Sequence, residues 1–245
     1  MTTKRPYVGK AKEMHPTDDP SILMMRFTDD ISAFDGKQVD SLKGKGAINA
    51  AFNQVVFSML ENEGVKNCLI DQVSMSPTDY RVIALDMLPV ECIVRNFSAG
   101  SFCKRYGVDK GMVFDTPTFE LCVKSDELGD PFIAPNAAVA LKMITNEQAL
   151  WLEFECQKIN KLLTKFLGDT GLTLVDFKLE FGTAVADGEW GNVKWKKGDL
   201  MLGDEFSPDS CRLWDETGVS LDKDRYRQSL GDVLDGYNEA LELIR

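Results

Sequence analysis

The sequence predicts a mixed α+β fold in which antiparallel strands are combined with two long helices. Apolar residues recur at helical spacing in segments 47–63 and 146–167. Segments that alternate apolar and polar residues predict strands, and those within 172–206 are separated by short turns that contain Gly and Asp. The length of 245 residues allows one large domain or two smaller lobes.

The charge balance restricts the class of ligand. The chain has 28 Lys and Arg against 39 Asp and Glu, which gives a net charge of −11. A protein that binds nucleic acid on its surface needs a basic face, so this class is disfavoured. An anionic small molecule would have to be bound by a local cluster of Lys and Arg.

The cysteine and histidine content limits the kinds of active site that the chain can contain. The six Cys include no C-x-x-C pair, which predicts reduced, buried thiols and no zinc site. Any Ser-His-Asp triad would need His15, the single His, and its Glu-Met-His-Pro-Thr context predicts an exposed turn. The N-terminal segment has no apolar signal region, and no apolar run approaches the ~20 residues that span a bilayer. A cytoplasmic location is therefore predicted.

A lysine pair near the N-terminus is the first candidate for a phosphate contact. Gly9-Lys10-Ala11-Lys12 follows a short apolar entry. Two lysines beside a glycine could lie over a phosphate chain, or they could be ordinary solvated side chains. The chain has no Walker motif.

Residues 22–27 read as a strand, and a polar turn runs from 28 to 36.

The middle of the chain predicts a helix, a set of strands and a second candidate site. The helix at 47–63 ends at Gly64, and strands follow at 67–73, 80–86 and 90–95. The last strand ends at Arg95, and a turn of small residues up to Ser101 opens a short helix. An arginine near a helix N-terminus could bind an anion. An N-capping serine and a surface arginine explain the pattern equally well.

A strand at 118–124 leads into a polar loop, 124–131, which could be a hinge between lobes. Thr145 and Gln148 form a predicted capping box for the helix at 146–167, with Gly168 as its end. Its inward residues are predicted to be Leu150, Leu152, Cys156, Ile159, Leu163, Phe166 and Leu167. Turns at 187–191 and 196–199 interrupt the paired strands, and a helix is predicted at 232–245.

One strand, 174–182, combines an apolar face with a charged face. Asp176, Lys178 and Glu180 alternate with apolar residues, so they share one side of the strand. For this segment alone, a half-buried strand with a solvated polar face is the favoured interpretation. A second acidic segment, 202–215, again mixes carboxylates, one arginine and apolar residues.

Taken together, these segments resemble the SAICAR synthetase (phosphoribosylaminoimidazole-succinocarboxamide synthase) family along nearly the whole chain. Each motif is short, and their specificity comes from their number and order. The motifs that carry the resemblance are the segments at 9–12, 32–36, 90–96 with 99–101, 174–182, 202–209 with 212–215, and 224–231.

The resemblance implies two lobes with antiparallel sheets and flanking helices, similar to kinases and ATP-grasp enzymes, with ATP between them. The approximate domains would be 1–124 and 125–245. The implied reaction is an ATP- and Mg²⁺-dependent amide ligation of L-aspartate to carboxyaminoimidazole ribotide, through an acyl phosphate, in purine biosynthesis. Such chemistry depends on charge stabilisation more than on a titrating base, which suits a chain with one His. The implied partners are these small molecules, with no nucleic acid or membrane, and a homo-oligomer is left open.

The resemblance also implies roles for individual residues. Lys10 and Lys12 would contact the ATP phosphates, and Ala11 between them would also belong to the ATP site. Lys124 would lie near the adenine, and Glu180 and Asp204 would contact ATP and Mg²⁺. Lys178 and Arg212 would be catalytic. The ribotide would be surrounded by Arg95, Ser101, Asp176, Lys178, Arg212, Asp224 and Arg227.

Two features depart from the family pattern. Gly129-Asp130-Pro131 stands where the family often has His before Asp-Pro, and the hairpin at 184–200 is longer than in compact bacterial members. Two other functions are weighed against the ligase. One is a different ATP-dependent ligase or a small-molecule kinase, and the other is a nucleotide-binding regulatory module without turnover.

Overall fold

The computed structural model describes residues 6–33 and 38–245, so the part of the 32–36 motif from residue 34 onward lies outside the described residues. The helices are α1 Lys45–Asn62, α2 Ser101–Tyr106, α3 Pro135–Ala140, α4 Asn146–Gly168, α5 Asp224–Gln228 and α6 Val233–Leu243. The strands are β1 Tyr7–Val8, β2 Lys12–Pro16, β3 Ile22–Phe27, β4 Asp30–Ala33, β5 Gln38–Ser41, β6 Leu69–Gln72, β7 Asp79–Ile83, β8 Leu85–Phe97, β9 Val113–Val123, β10 Phe132–Ile133, β11 Thr173–Ala184, β12 Gly188–Trp190, β13 Val193–Trp195, β14 Leu200–Leu202 and β15 Cys211–Trp214. This mixture confirms the α+β prediction.

The chain forms two compact units rather than two consecutive halves. One unit consists of Met1–Met87 and Phe181–Ser207, and the other of Leu88–Glu180 and Pro208–Arg245. The boundary expected between residues 124 and 125 therefore falls inside the second unit. The chain passes between the units three times, within β8, within β11 and after Ser207, so a single polar loop does not mark the division.

The first unit is built on a five-stranded antiparallel sheet with the order β1-β2-β3-β7-β6. Helix α1 packs against β3, and its fully buried Phe52, Val56 and Leu60 follow the predicted helical spacing. Gly46 allows this approach, because a Cβ atom there would lie 2.8 Å from the carbonyl oxygen of Phe27. The same unit contains the β4–β5 and β12–β13 hairpins, and β14 pairs with the last residues of β11.

The second unit has β10, β9, β8 and β11 as neighbours in that order, with β15 also paired to β11. Helix α4 packs against β9. The capping box of Thr145 and Gln148 is confirmed, with both reciprocal hydrogen bonds formed. The core is made by α4 and β11, whose buried apolar residues include Leu152, Cys156, Ile159, Leu163, Val175, Phe177 and Leu179.

Several local predictions were wrong, each for a physical reason. Leu150 is 64% exposed, because residues two apart cannot share a helix face and Leu152 occupies the buried one. His15 lies in β2, not in a turn, and its Nε2 is 2.8 Å from Glu13 Oε2. Residues 188–190 form a strand, so the first turn of the hairpin is shorter than expected.

The prediction of buried thiols is confirmed for five of the six cysteines, and the sixth, Cys103, is half-buried; all six are free thiols. Among the described residues, no helix has the length and apolar character needed to cross a bilayer.

Candidate active site

Arg95, at the end of β8, is the buried centre of the second unit's charged network. It is 2% exposed, and each nitrogen of its guanidinium donates a hydrogen bond. Nε donates to Glu120 Oε2 at 3.0 Å, and Nη1 donates to Asp176 Oδ2 at 2.6 Å and to the carbonyl of Ala99 at 3.5 Å. Nη2 donates to Ser101 Oγ at 3.2 Å. Arg95 therefore orients the groups around it, and the alternative of a surface arginine was wrong.

Arg212, on β15, contacts the other side of the same aspartate. Its Nη1 lies 2.8 and 3.1 Å from the two oxygens of Asp176, and its Nε donates to Asp224 Oδ2 at 3.0 Å. Burial opposes ionisation, but the carboxylates of Asp176 and Asp224 raise the pKa of Arg212 above its ordinary value. Gly100 makes room for this side chain, because a Cβ there would lie 2.4 Å from Arg212 Nη2.

The network continues into α5 through Asp224. Arg227 Nη1 donates to Asp224 Oδ1 at 2.8 Å. Burial disfavours the carboxylate, but Arg212 and Arg227 lower the pKa of Asp224 below its ordinary value. Burial and the negative charge of Asp224 raise the pKa of the nearby Asp222 to about 6. Carboxylate and guanidinium thus alternate along a continuous path: Glu120, Arg95, Asp176, Arg212, Asp224 and Arg227.

A second group in the same unit surrounds Glu180 of β11. Lys124 donates to Glu180 Oε2, and Lys178 donates to Glu180 Oε1. Lys178 also donates to Glu91 Oε1 at 2.9 Å. Burial raises the pKa of Glu91, and the ammonium of Lys178 partly offsets this. Two ammonium groups and two carboxylates therefore lie together on β8, β11 and the residue that follows β9.

The two carboxylates on the charged face of β11 are buried, so the expected solvated face was wrong for them. Asp176 and Glu180 are each 3% exposed. The alternation of charged and apolar residues is confirmed, but the partners that satisfy the charged side come from distant parts of the chain. Arg95 and Asp176 are 81 positions apart.

The first unit contains a third group, centred on Lys12 of β2. Lys12 Nζ lies 2.5 Å from Asp204 Oδ1 and 2.7 Å from Glu205 Oε1. Burial disfavours the ammonium, but the two carboxylates raise the pKa of Lys12 above its ordinary value. Asp204 does not lie on a strand as expected, because β14 ends at Leu202 and Asp204 adopts a φ of +54°.

The lysine segment forms the turn of the β1–β2 hairpin. The backbone N–H of Gly9 donates to the carbonyl of Lys12 at 2.8 Å, and the carbonyl of Ala11 accepts from Thr28 N–H at 2.9 Å. Lys10 is exposed at the tip of this turn. Lys10 and Lys12 therefore differ in setting, since Lys10 is exposed and Lys12 is partly buried against two carboxylates.

The acidic residues do not form a ready-made metal cage. Within residues 6–33 and 38–245, no group of three or more His, Cys, Asp or Glu side chains is arranged to hold an ion. Glu180 and Asp204 are each neutralised by lysine instead. Mg²⁺ is commonly held by one or two carboxylates together with substrate phosphates and water. Each of these two carboxylates, taken within its own unit, is of the kind that can bind Mg²⁺ arriving with a nucleotide.

Sequence reasoning missed four acidic residues of these groups: Glu91, Glu120, Glu205 and Asp222. Glu91 shares a face of β8 with Arg95, because the two are four positions apart on a strand. Glu120 lies between Phe119 and Leu121 in a predicted strand, and a carboxylate in that setting indicates a buried ion pair. These two signals were available in the sequence.

Comparison with known proteins identifies the family. The SAICAR synthetase family model matches residues 5–244. Phosphoribosylaminoimidazole-succinocarboxamide synthase of Pseudomonas aeruginosa (strain LESB58) is 47% identical over 97% of this chain and 95% of its own length. The enzyme of the same name from Finegoldia magna is 44% identical over 98% of both chains.

Solved structures agree with the sequence comparison. A type-2 SAICAR synthetase in complex with ADP superposes with a TM-score of 0.89 and 41% identity, covering 98% of this chain and 97% of the other. The fold, the order of the motifs and the sequence identity lead to one conclusion: the chain belongs to the SAICAR synthetase family, the ATP-dependent ligases that join aspartate to carboxyaminoimidazole ribotide in purine biosynthesis.

Proposed function

We propose that this chain performs the family's ligation through an acyl phosphate. An oxygen of the ribotide carboxylate attacks the γ-phosphorus of ATP, and ADP leaves. The amine of aspartate then attacks the acyl carbon, the amide bond forms, and phosphate leaves with that carboxylate oxygen while the amine loses a proton. A carboxylate is a poor electrophile in water, so activation by ATP is what makes the second step feasible.

The observation that carries this proposal is the pairing of Arg95, Arg212 and Arg227 with two aspartates in the second unit. Arginine binds phosphate and carboxylate through paired donors. Here the aspartates fix the guanidinium groups in advance, which lowers the entropic cost of binding an anion. Arg227 and Arg212 retain the greater exposure, with 31% and 16% of their side chains accessible, against 2% for Arg95.

This difference in exposure divides the roles of the ribotide residues. Arg212 and Arg227 would contact the ribotide, together with Ser101, which is exposed at the start of α2. Arg95 would hold Ser101 and Asp176 in place from beneath. Asp176 and Asp224 would keep Arg212 in one orientation.

The nucleotide residues are proposed separately for each unit. In the first unit, Lys10, the backbone of Ala11 and Lys12 would contact phosphate, and Asp204 would bind the metal. In the second, Lys124 would lie near the adenine and Glu180 would bind the metal. When bound with ATP, Mg²⁺ would neutralise phosphate charge as it develops. The ADP complex of the related SAICAR synthetase supports a nucleotide ligand for this chain.

Within the second unit, Lys178 is proposed to act on the reacting carboxylate. Its ammonium lies against Glu91 at 2.9 Å and against Glu180. A cation held in this way is available to stabilise negative charge that forms on the acyl carbon's oxygen. The cytoplasmic location stays a prediction.

The experiment that tests the acyl phosphate is oxygen transfer. The ribotide is prepared with ¹⁸O in its carboxylate and is turned over with ATP and aspartate. We expect one ¹⁸O atom in the released phosphate for each amide formed. Phosphate without ¹⁸O, at full amide yield, would exclude the acyl phosphate.

A further inference from the structure

The charged triad of Lys12, Asp204 and Glu205 in the first unit contains one more carboxylate than the proposed chemistry uses. Lys12 Nζ lies 2.5 Å from Asp204 Oδ1 and 2.7 Å from Glu205 Oε1. The three side chains together carry a net charge of −1, from one ammonium and two carboxylates. Lys12 is proposed to bind phosphate and Asp204 to bind Mg²⁺, which leaves Glu205 without a role.

The backbone is shaped so that both carboxylates reach the same ammonium. Consecutive residues of an extended strand point to opposite faces. Asp204 instead has a φ of +54°, in the left-handed region that Asp and Asn enter more readily than other residues with a side chain. This kink permits the side chains of 204 and 205 to converge on Lys12.

Glu205 is more deeply buried than Asp204. Its side chain is 6% exposed, against 21% for Asp204. Ser207 Oγ donates to Glu205 Oε2 at 2.6 Å. The N–H of Phe206 donates to Asn53 Oδ1 at 2.8 Å, so the backbone on the far side of Glu205 is fixed to α1. Glu205 is therefore a preorganised negative charge beside the phosphate-binding lysine.

A fixed negative charge in that place affects metal-free and metal-bound nucleotide differently. A metal-free triphosphate carries more negative charge than its Mg²⁺ complex, so a fixed carboxylate beside Lys12 repels the metal-free form more strongly. A nucleotide that carries Mg²⁺ brings a cation for Asp204, and Lys12 then keeps Glu205 as its partner. We propose that Glu205 makes the site select metal-bound ATP over metal-free ATP. Its carboxylate repels the metal-free triphosphate, and it keeps Lys12 oriented when the metal-bound nucleotide enters.

This inference rests on the proposed function of Lys12 and Asp204. A purely structural role of Glu205 gives a different expectation. Loss of such a role would weaken both forms of the nucleotide equally, because it would only loosen the segment. The informative quantity is therefore the ratio of the two dissociation constants rather than either constant alone.

The test measures Kd for ATP by calorimetry, once with excess EDTA and once with saturating Mg²⁺. In Glu205→Gln, which keeps the size and removes the charge, the ratio of metal-free Kd to metal-bound Kd should fall about tenfold. Glu189→Gln is the matched control. It removes one charge from an exposed pair with Lys194 in the same unit, and its ratio should stay within twofold of wild type.

Two further variants distinguish failure of the proposed Lys12 role from failure of the Glu205 inference. If Lys12→Met leaves both dissociation constants unchanged, the proposed phosphate role of Lys12 fails. If Lys12→Met weakens binding but Glu205→Gln keeps the wild-type ratio, the selectivity inference alone is overturned. Should Glu205→Gln not fold, Ser207→Ala removes the hydroxyl that fixes Glu205. Its ratio should fall in the same direction by about threefold, and an unchanged ratio would overturn the inference.

Discussion

Asp176 accepts hydrogen bonds from Arg95 and Arg212 at the same time, at 2.6 Å and 2.8 Å from its Oδ2. One buried carboxylate thus fixes two guanidinium groups that reach it from β8 and β15. Such a buried pair costs desolvation free energy, and it is retained where orientation matters. The relationship predicts that the arginines cannot be replaced by lysine without loss of geometry.

Arg212→Lys tests this geometry. Arg212 donates from Nε to Asp224 and from Nη1 to Asp176, and a lysine ammonium cannot span the same fork. We expect the KM for the ribotide to rise at least about tenfold, which corresponds to the loss of one charged hydrogen bond. The KM for ATP should stay within about twofold of the wild-type value, because Arg212 is not among the residues proposed to bind ATP. Unchanged ribotide kinetics in a folded variant would contradict the placement of Arg212.

The contact between Gly100 and Arg212 predicts a difference between two glycine variants. Gly100→Ala places a Cβ 2.4 Å from Arg212 Nη2, so it should displace this side chain and weaken ribotide binding. Gly107, at the other end of α2, has a similar φ of +64° but no atom within 4 Å of an added Cβ. The ψ of Gly107 is +36°, against −124° at Gly100, so Gly107→Ala introduces a left-handed alanine, which costs about 1 kcal/mol, without the clash. Gly100→Ala adds to the clash a backbone conformation that only glycine readily adopts. Equal ribotide KM values in the two variants would argue against the contact.

The metal role of Glu180 and Asp204 is tested one residue at a time. Glu180→Gln and Asp204→Asn keep the size of each side chain and remove its charge. Each should lower kcat by about a hundredfold or more and should raise the Mg²⁺ concentration that gives half-maximal rate. Asp79→Asn, which breaks a bidentate, partly exposed pair with Arg26 in the first unit, controls for the general loss of an ion pair. A variant whose Mg²⁺ dependence matches wild type would exclude that residue as a ligand.

The raised pKa of Asp222 predicts a pH dependence of stability. The folded state shifts this pKa from 3.8 to about 6, so it binds the proton more tightly than the unfolded chain does. The group's contribution to the free energy of unfolding is complete below the unfolded pKa and is lost as the pH rises through the folded pKa. Asp222→Asn cannot titrate. The free energy of unfolding of wild type minus that of Asp222→Asn should therefore decrease between about pH 4 and pH 6 and level off above. A difference that stays constant over this range would contradict the shift.

The periodic elements and the motifs were predictable from the sequence, while their partners were not. The capping box of α4 and the alternation of Asp176, Lys178 and Glu180 depend on neighbours in sequence, and both are confirmed. Burial of the charged face was missed, because it depends on arginines 81 and 36 positions away from Asp176. The convergence of Asp204 and Glu205 on Lys12 was missed for a related reason, since a positive φ at an aspartate leaves little trace in the sequence.

The boundaries between the two units also could not be predicted from the sequence. The loop after residue 124 has the polar composition of a linker, and it lies within the second unit. Two of the three crossings occur inside β8 and β11, where continuous strands carry the chain from one unit to the other. Composition marks flexible linkers and gives no sign of a boundary that falls within a strand.

The most direct test of the ligase activity is an ADP-release assay from which each component is omitted in turn. The purified protein is given ATP, Mg²⁺, the carboxylated ribotide and L-aspartate, and steady-state ADP formation is followed together with the amide product. We expect sustained ADP release, equal in amount to the amide, only when all four components are present. ADP release that continues at the full rate without aspartate would contradict the ligase account and would indicate a kinase.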